Sequence, residues 1–322
     1  MSSPQLQFHL LNAFVVDSNP HSGNQAAVVL FSDPSDHRAE DEKWMTSVAR
    51  DFGFSETAYL VPLALDEKGD KGEWGLRWFT PEVEVTLCGH ATLASSKVLF
   101  SLNPALQLIT FQTRFSGTLT ARRVGQEEVE ISLPTLSNEV ISKFGSTTSN
   151  DDETRALEGA FGLDRGGVVG VEEIDFSGNR CLIVQLSQGV DVEKIRVDIK
   201  ALVAITGCAV ITQVDNSKSI ETGELHINSR VFGPALGVDE DPVTGSSHAH
   251  LTGYYLLSQA TAQAYIPKEL LAKVSSPKEL TVIGHQRSSR GGLLKCQLDA
   301  EDQGKVKIVG NAFEFGRGTL NL

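Results

Sequence analysis

Two short segments constrain this chain more than any other part of it. One is Glu240-Asp241-Pro242-Val243-Thr244-Gly245-Ser246-Ser247-His248-Ala249-His250-Leu251, followed by a mostly apolar run to Leu257. Pro242 forbids a helix continuing behind it, and Gly245 permits a sharp turn. Ser246 or Ser247 is expected to cap the helix that follows. The second segment, Thr86-Leu87-Cys88-Gly89-His90-Ala91-Thr92, also ends a strand-like run, passes a glycine and enters an apolar stretch, Leu93 to Phe100. Gly89 and Gly245 lie about 156 positions apart, close to half of the 322 residues. Two such loops at equivalent places in two halves point to a duplicated unit. Each first helical turn carries unpaired N–H groups and a partial positive charge, so each is a seat for an anion, and the two are expected to face one ligand.

A chain of this length exceeds what one core usually holds, so two domains are expected. The net charge of −13 argues against a nucleic-acid partner. No long Lys/Arg run favours a membrane surface, and the N-terminus does not read as a secretory signal. Cys88, Cys181, Cys208 and Cys296 are widely spaced with no CxxC pair, which supports neither a zinc site nor a disulfide framework. A reducing, cytoplasmic setting follows.

Along the chain, apolar strand-like runs outnumber helical ones. Phe8–Val16, Ala26–Phe31, Thr57–Val61, Gly72–Phe79, Gln107–Gln112, Gly117–Arg122 and Glu128–Leu133 read as strands. Trp44, Met45, Val48, Ala49 and Phe52 form one helix face, with Gly53 as its stop. From position alone, Glu56 at the mouth of a strand reads as solvated. Ser146 to Thr154 reads as a surface loop. In the second half, 167–171, 181–186, 208–214, 224–232, 279–285, 293–298 and 305–308 read as strands, 192–205 and 267–274 as helices, and 310–318 as a strand and turn. The class is α+β.

Four segments, NAFVVDSNPHSGNQAAVVL, FSETAYLV, WFTPEVEVTLCGHATLAS and RVFGPALGVDEDPVTGSSHAHL, together resemble the phenazine-biosynthesis PhzF-like family, related in fold to diaminopimelate epimerase; the C-terminal GNAFEFGRGTL also fits. The resemblance covers nearly the whole chain. It implies two similar lobes, each a β-barrel-like sheet around a central helix, with the active site in the cleft between them. The first lobe would hold residues 1–134, completed by the C-terminal strand 308–322, and the second residues 135–307. Glu56 matches the family's catalytic glutamate, His90 the histidine of its Gly-His motif, and Asp241 and Ser246 the Asp and Ser of Asp-Pro-x-Thr-Gly-Ser. Asn24, Gly89, Ala91, Gly245 and Ser247 would line the substrate pocket. His21, Gln25 and Ser247 depart from the family's usual residues, which bears on the substrate rather than the fold.

The activity implied is isomerisation or epimerisation beside a carboxylate, without cofactor or metal. A small carboxylate-bearing substrate is expected, no nucleic acid and no membrane, with a homodimer by family analogy alone. Removing a proton from carbon needs a placed base and an acid to return the proton, and the developing charge needs a seat. The second loop offers Asp241 and Thr244 but no cysteine, so a two-thiol mechanism is disfavoured, and Cys88 reads as a small packed residue. His248 and His250 with His90 lack metal-ligand spacing. The competing class is a binding protein that keeps the fold without catalysis.

Overall fold

The computed structural model describes residues 5–135, 151–176, 179–257, 262–274, 276, 279–302 and 304–321. The chain divides into two units, Met1–Leu133 with Ile308–Leu322, and Pro134–Lys307. In the first unit the strands are β1 (Leu6–Ala13), β2 (Asn24–Leu30), β3 (Glu56–Leu65), β4 (Lys71–Phe79), β5 (Glu84–Val85), β6 (Leu108–Thr113), β7 (Thr118–Val124) and β8 (Glu128–Pro134). The second carries β9 (Val168–Phe176), β10 (Asn179–Leu186), β11 (Ala209–Val214), β12 (Leu225–Gly233), β13 (Val238–Asp241), β14 (Val282–Gln286) and β15 (Gly292–Leu298). The last strand, β16 (Lys305–Leu320), leads back into the first unit.

The first unit follows the order β1-β2-β3-β4-β6-β7-β8-β16, and β16 also pairs with β1, so the sheet closes on itself. Closure removes the exposed edges that an open sheet must otherwise protect. Its parallel pairs, β2 with β3 and β4 with β6, each require a crossover. Helices Glu42–Phe52 and Gly89–Leu102 supply them. The first has one apolar face and buries only that, with Met45, Val48 and Ala49 inward. It starts where Asp41 accepts a hydrogen bond from the Trp44 N–H and stops at Gly53, whose φ of 68° suits a left-handed cap. Helix Gly89–Leu102 is apolar or small except at His90 and Lys97 and buries most of its residues against β1, β2, β3 and β7.

The second unit repeats the β1–β7 part of this plan strand for strand. Its order is β15-β14-β12-β11-β10-β9. Here β9 pairs antiparallel with β10, β10 parallel with β11, β11 antiparallel with β12, β12 parallel with β14, and β14 antiparallel with β15. β1 to β7 pair in the same sequence of senses, and the short strands β5 and β13 pair with β4 and β12 respectively. The duplicated unit predicted from the two glycine loops is thus present in the hydrogen bonding. Helix Gly245–Leu257 takes the place of Gly89–Leu102 and is as thoroughly buried.

Several local expectations need correction. Residues 192–205 are not one helix: a 3-10 turn, Val192–Lys194, precedes a short helix, Ile199–Ile205, which Asp198 caps through the Ala201 N–H. Residues 151–154, expected in a loop, open the helix Asp151–Ala160, whose first-turn acids suit a positive helix terminus; residues 146–150 of that loop lie outside the described residues. Residues 305–308 and 310–318 form one strand without a turn, and β1 pairs with its second half, Ala312–Leu320. Cys181 and Cys208 form a disulfide, against the reading of four unrelated cysteines. Parallel pairing of β10 with β11 sets Leu182 opposite Ala209 and so brings the preceding cysteines together, a register that spacing in the sequence does not reveal. Among the described residues, no helix is long and apolar enough to cross a membrane.

Candidate active site

In the first unit, Asn24 and Glu56 start adjacent parallel strands, and Ala26 stands opposite Glu56. Gly23 makes this start possible. Its φ is 79°, and a Cβ there would overlap the Ala13 carbonyl, so only glycine lets the chain turn into β2 at this point. The third component is the first turn of helix Gly89–Leu102. Cys88 is its N-cap in an extended conformation, with no side-chain cap hydrogen bond. Gly89 is the first helical residue rather than a left-handed turn, and Gly89, His90 and Ala91 are all buried.

These pieces bring five side chains together. His90 Nε2 lies 3.2 Å from Glu56 Oε2 and 3.4 Å from Ser55 Oγ. Asn24 Nδ2, which can only donate, lies 3.2 Å from His90 Nδ1. Nδ1 is then the acceptor, and the ring proton sits on Nε2, facing Glu56 and Ser55. Ser55 Oγ also lies 3.4 Å from Asn24 Oδ1, so its single proton serves either that oxygen or Glu56. Cys88 Sγ is 3.5 Å from Nδ1 and 3.9 Å from Nε2 of His90.

Glu56 is not the solvated side chain that its position suggests. Its side chain keeps only 19% of its exposure, and Oε2 is buried without an aligned hydrogen-bond partner. Burial pushes its carboxyl pKa up, because the charged form loses water; hydrogen bonds from Ser55 and Cys88 work against that rise. The result is a carboxyl whose proton is held more tightly than in water, beside a proton-bearing imidazole and an uncapped helix N-terminus.

The second unit's loop is built differently. Thr244 Oγ1 donates to the Asp241 carboxylate. Gln286, from β14, bridges the loop: its Oε1 accepts from the Thr244 N–H at 2.8 Å and its Nε2 donates to the Asp241 carbonyl at 2.6 Å. Ser288 Oγ donates to the Pro242 carbonyl at 2.7 Å. The helix begins at Gly245, so Ser246 and Ser247 lie inside its first turn rather than at its cap. Ser247 is buried, its Oγ donating to the Thr244 carbonyl at 2.9 Å. Ser246 is the residue of this turn left partly exposed between buried neighbours. His248 is fully buried, donating from Nδ1 to the Thr244 carbonyl at 2.8 Å and accepting at Nε2 from Ser229 Oγ, 3.2 Å away. His250 packs edge-on to Phe176. Burial lowers both imidazoles to pKa values of about 4, so both are neutral packing residues at neutral pH.

The structure therefore gathers Glu56, His90 and Asn24 with the backbone of Gly89 and Ala91 in the first unit. Asp241, Gly245, Ser246 and Ser247 belong to the second. Ser55 and Gln286 were not singled out from the sequence. Ser55 carried a signal, since it precedes Glu56; Gln286, some forty residues from its loop, carried none. Cys88, read as packing, is buried but also lies within 4.8 Å of the ligand atoms of both Glu56 and His90.

Comparison with known proteins places these observations in a group. A family model described as phenazine biosynthesis-like protein matches residues 11–318. An uncharacterized isomerase of Pseudomonas aeruginosa is 34% identical over 319 residues, covering 99% of each chain. A PhzF-family protein of Enterococcus faecalis, 26% identical, superposes with a TM-score of 0.69 over 99% of this chain and all of its own. A hydroxyproline epimerase from Agrobacterium vitis, solved with trans-4-hydroxy-L-proline, aligns with a TM-score of 0.59 over 99% of this chain and 91% of its own. At 10% identity that likeness concerns the fold alone.

Proposed function

The chain belongs to the phenazine biosynthesis-like (PhzC-PhzF) family, an isomerase family, and from that premise we propose that it moves a proton on a small carboxylate-bearing substrate with Glu56 as the acid/base. The observation that carries this reading is the environment of Glu56. A carboxyl with raised proton affinity is closer to the operating pH, so it can both take a proton from carbon and hand it back. His90 Nε2 lies 3.2 Å from the same carboxylate oxygen and offers a second proton carrier. The uncapped first turn at Gly89 supplies backbone N–H groups for the charge that develops on the substrate carboxylate. Asp241 and Ser246 are assigned to substrate positioning; the hydrogen bond from Thr244 fixes the Asp241 side chain, and Ser246 is partly exposed.

The test uses solvent deuterium with a panel of small carboxylic acids. An isomerase washes label into one carbon position of its substrate, and Glu56→Gln stops the exchange. Binding of an acid with no exchange at any position would instead mark a protein that keeps the fold without catalysis.

A further inference from the structure

We propose that Glu56, Cys88 and His90 also form a binding site for a zinc-class divalent cation, through one carboxylate oxygen, the Cys88 thiolate and His90 Nε2. One ligand atom from each of the three residues lies within 4.8 Å of the others. The two edges at His90 measure 3.2 Å to Glu56 Oε2 and 3.9 Å to Cys88 Sγ. A tetrahedral zinc with ordinary bond lengths needs edges of about 3.4–3.6 Å between such ligands. Small side-chain rotations bring the three atoms to that spacing.

The chemistry of the set selects the ion. One sulfur, one imidazole nitrogen and one carboxylate oxygen favour zinc over magnesium or calcium, which prefer oxygen alone. The bound carboxylate and thiolate carry two negative charges, which balance a divalent cation. The helix N-terminus opposes the cation with a partial charge of about +0.5, less than the ligands supply. Glu56 Oε2, buried without an aligned hydrogen bond, gains a partner. Asn24 stands behind the ring at Nδ1, 3.2 Å away. Turning its amide lets Oδ1 accept the Nδ1 proton, the outer contact that metal-bound histidines need. Three protein ligands leave a fourth position open.

Binding releases the thiol proton, and that of Glu56 when protonated, to the buffer; the imidazole proton moves from Nε2 to Nδ1. Because the cation occupies the carboxylate oxygen that the proposed base uses, loss of activity on binding rests on the function proposed above, whereas the binding does not.

The experiment is calorimetric titration of the metal-free protein with Zn²⁺, repeated in buffers of different ionisation enthalpy to count released protons. One zinc per chain is expected, not displaced by Mg²⁺. Cys88→Ser, which keeps the shape of the side chain, weakens binding at least about tenfold, and Glu56→Gln weakens it too. With Co²⁺ in place of zinc, a thiolate-to-cobalt absorption appears in the unaltered protein and is missing in Cys88→Ser. The proposal is overturned if Cys88→Ser binds zinc as tightly as the unaltered protein, or if the His285→Ala variant abolishes binding instead, which would move the site to the His226–His285 pair, 3.2 Å apart. Failure here leaves deuterium exchange by the metal-free protein unaffected, so the two readings fail separately.

Discussion

Glu56 Oε2 lies 3.2 Å from His90 Nε2, and the two side chains arrive there by different routes. Glu56 is placed by parallel pairing at the start of a strand, His90 by the first turn of a buried helix. Neither element holds the pair alone. Asn24, on the neighbouring strand, fixes the ring from its far side.

Replacing Glu56 by Gln keeps the size of the side chain and removes its proton chemistry. The exchange rate should fall by about 10²–10⁴-fold, the usual contribution of a placed general base. His90→Asn should lower the rate less, because Glu56 remains. Equal exchange in Glu56→Gln and the unaltered protein removes Glu56 from the mechanism.

The raised pKa of Glu56 also has a sign in stability. The folded state holds this proton more tightly than the unfolded chain, whose glutamates titrate near 4.3. Stability is therefore lost as pH rises from about 4.3 through the higher folded pKa, and stays lost above it. Glu56→Gln should be the more stable protein at neutral pH, with the difference closing as the pH approaches 4. Urea unfolding of both proteins across that range measures it.

His248 has the opposite sign. Its folded pKa of about 4 lies below the unfolded value near 6.5, so protonation favours the unfolded chain. Stability is expected to fall as pH drops from about 6.5 toward 4, by up to about 3 kcal/mol from this residue. His248→Gln should flatten that limb of the pH profile.

Gly284 faces the same ring. A Cβ on Gly284 would lie within the space of the His248 imidazole. The ring is fully buried and held at both nitrogens, so it cannot swing aside. Gly284→Ala should cost about 1–3 kcal/mol. Truncating the ring as well, in the His248→Ala background, should recover part of that loss.

The Cys181–Cys208 disulfide spans 27 positions. In the chain-entropy account a loop of that length contributes about 3–4 kcal/mol. Reductant, or Cys181→Ala with Cys208→Ala, should lower the urea midpoint accordingly; an unchanged midpoint would show that the bond does not restrain the unfolded chain.

Much of this architecture was written in local pattern. The two glycine loops, the apolar helices behind them and the alternation along β4 follow from residue type and neighbours, so the duplication and the α+β class were legible from sequence. So were the family and its motif residues, because Glu56, His90, Asp241 and Ser246 sit in short contiguous segments. What the sequence did not disclose depends on register between distant strands. Pairing of β10 with β11 joins Cys181 to Cys208, and the site of Gln286 on β14 lets it clamp the loop at Thr244. Glu56 is the clearest case. Its neighbours in sequence suggest a solvated side chain, and only the folding of β2, β3 and the helix at Gly89 around it removes the water that would keep its pKa ordinary. Local sequence sets which conformations are cheap, but burial is a property of what the rest of the chain brings near, and that was decided by the tertiary structure.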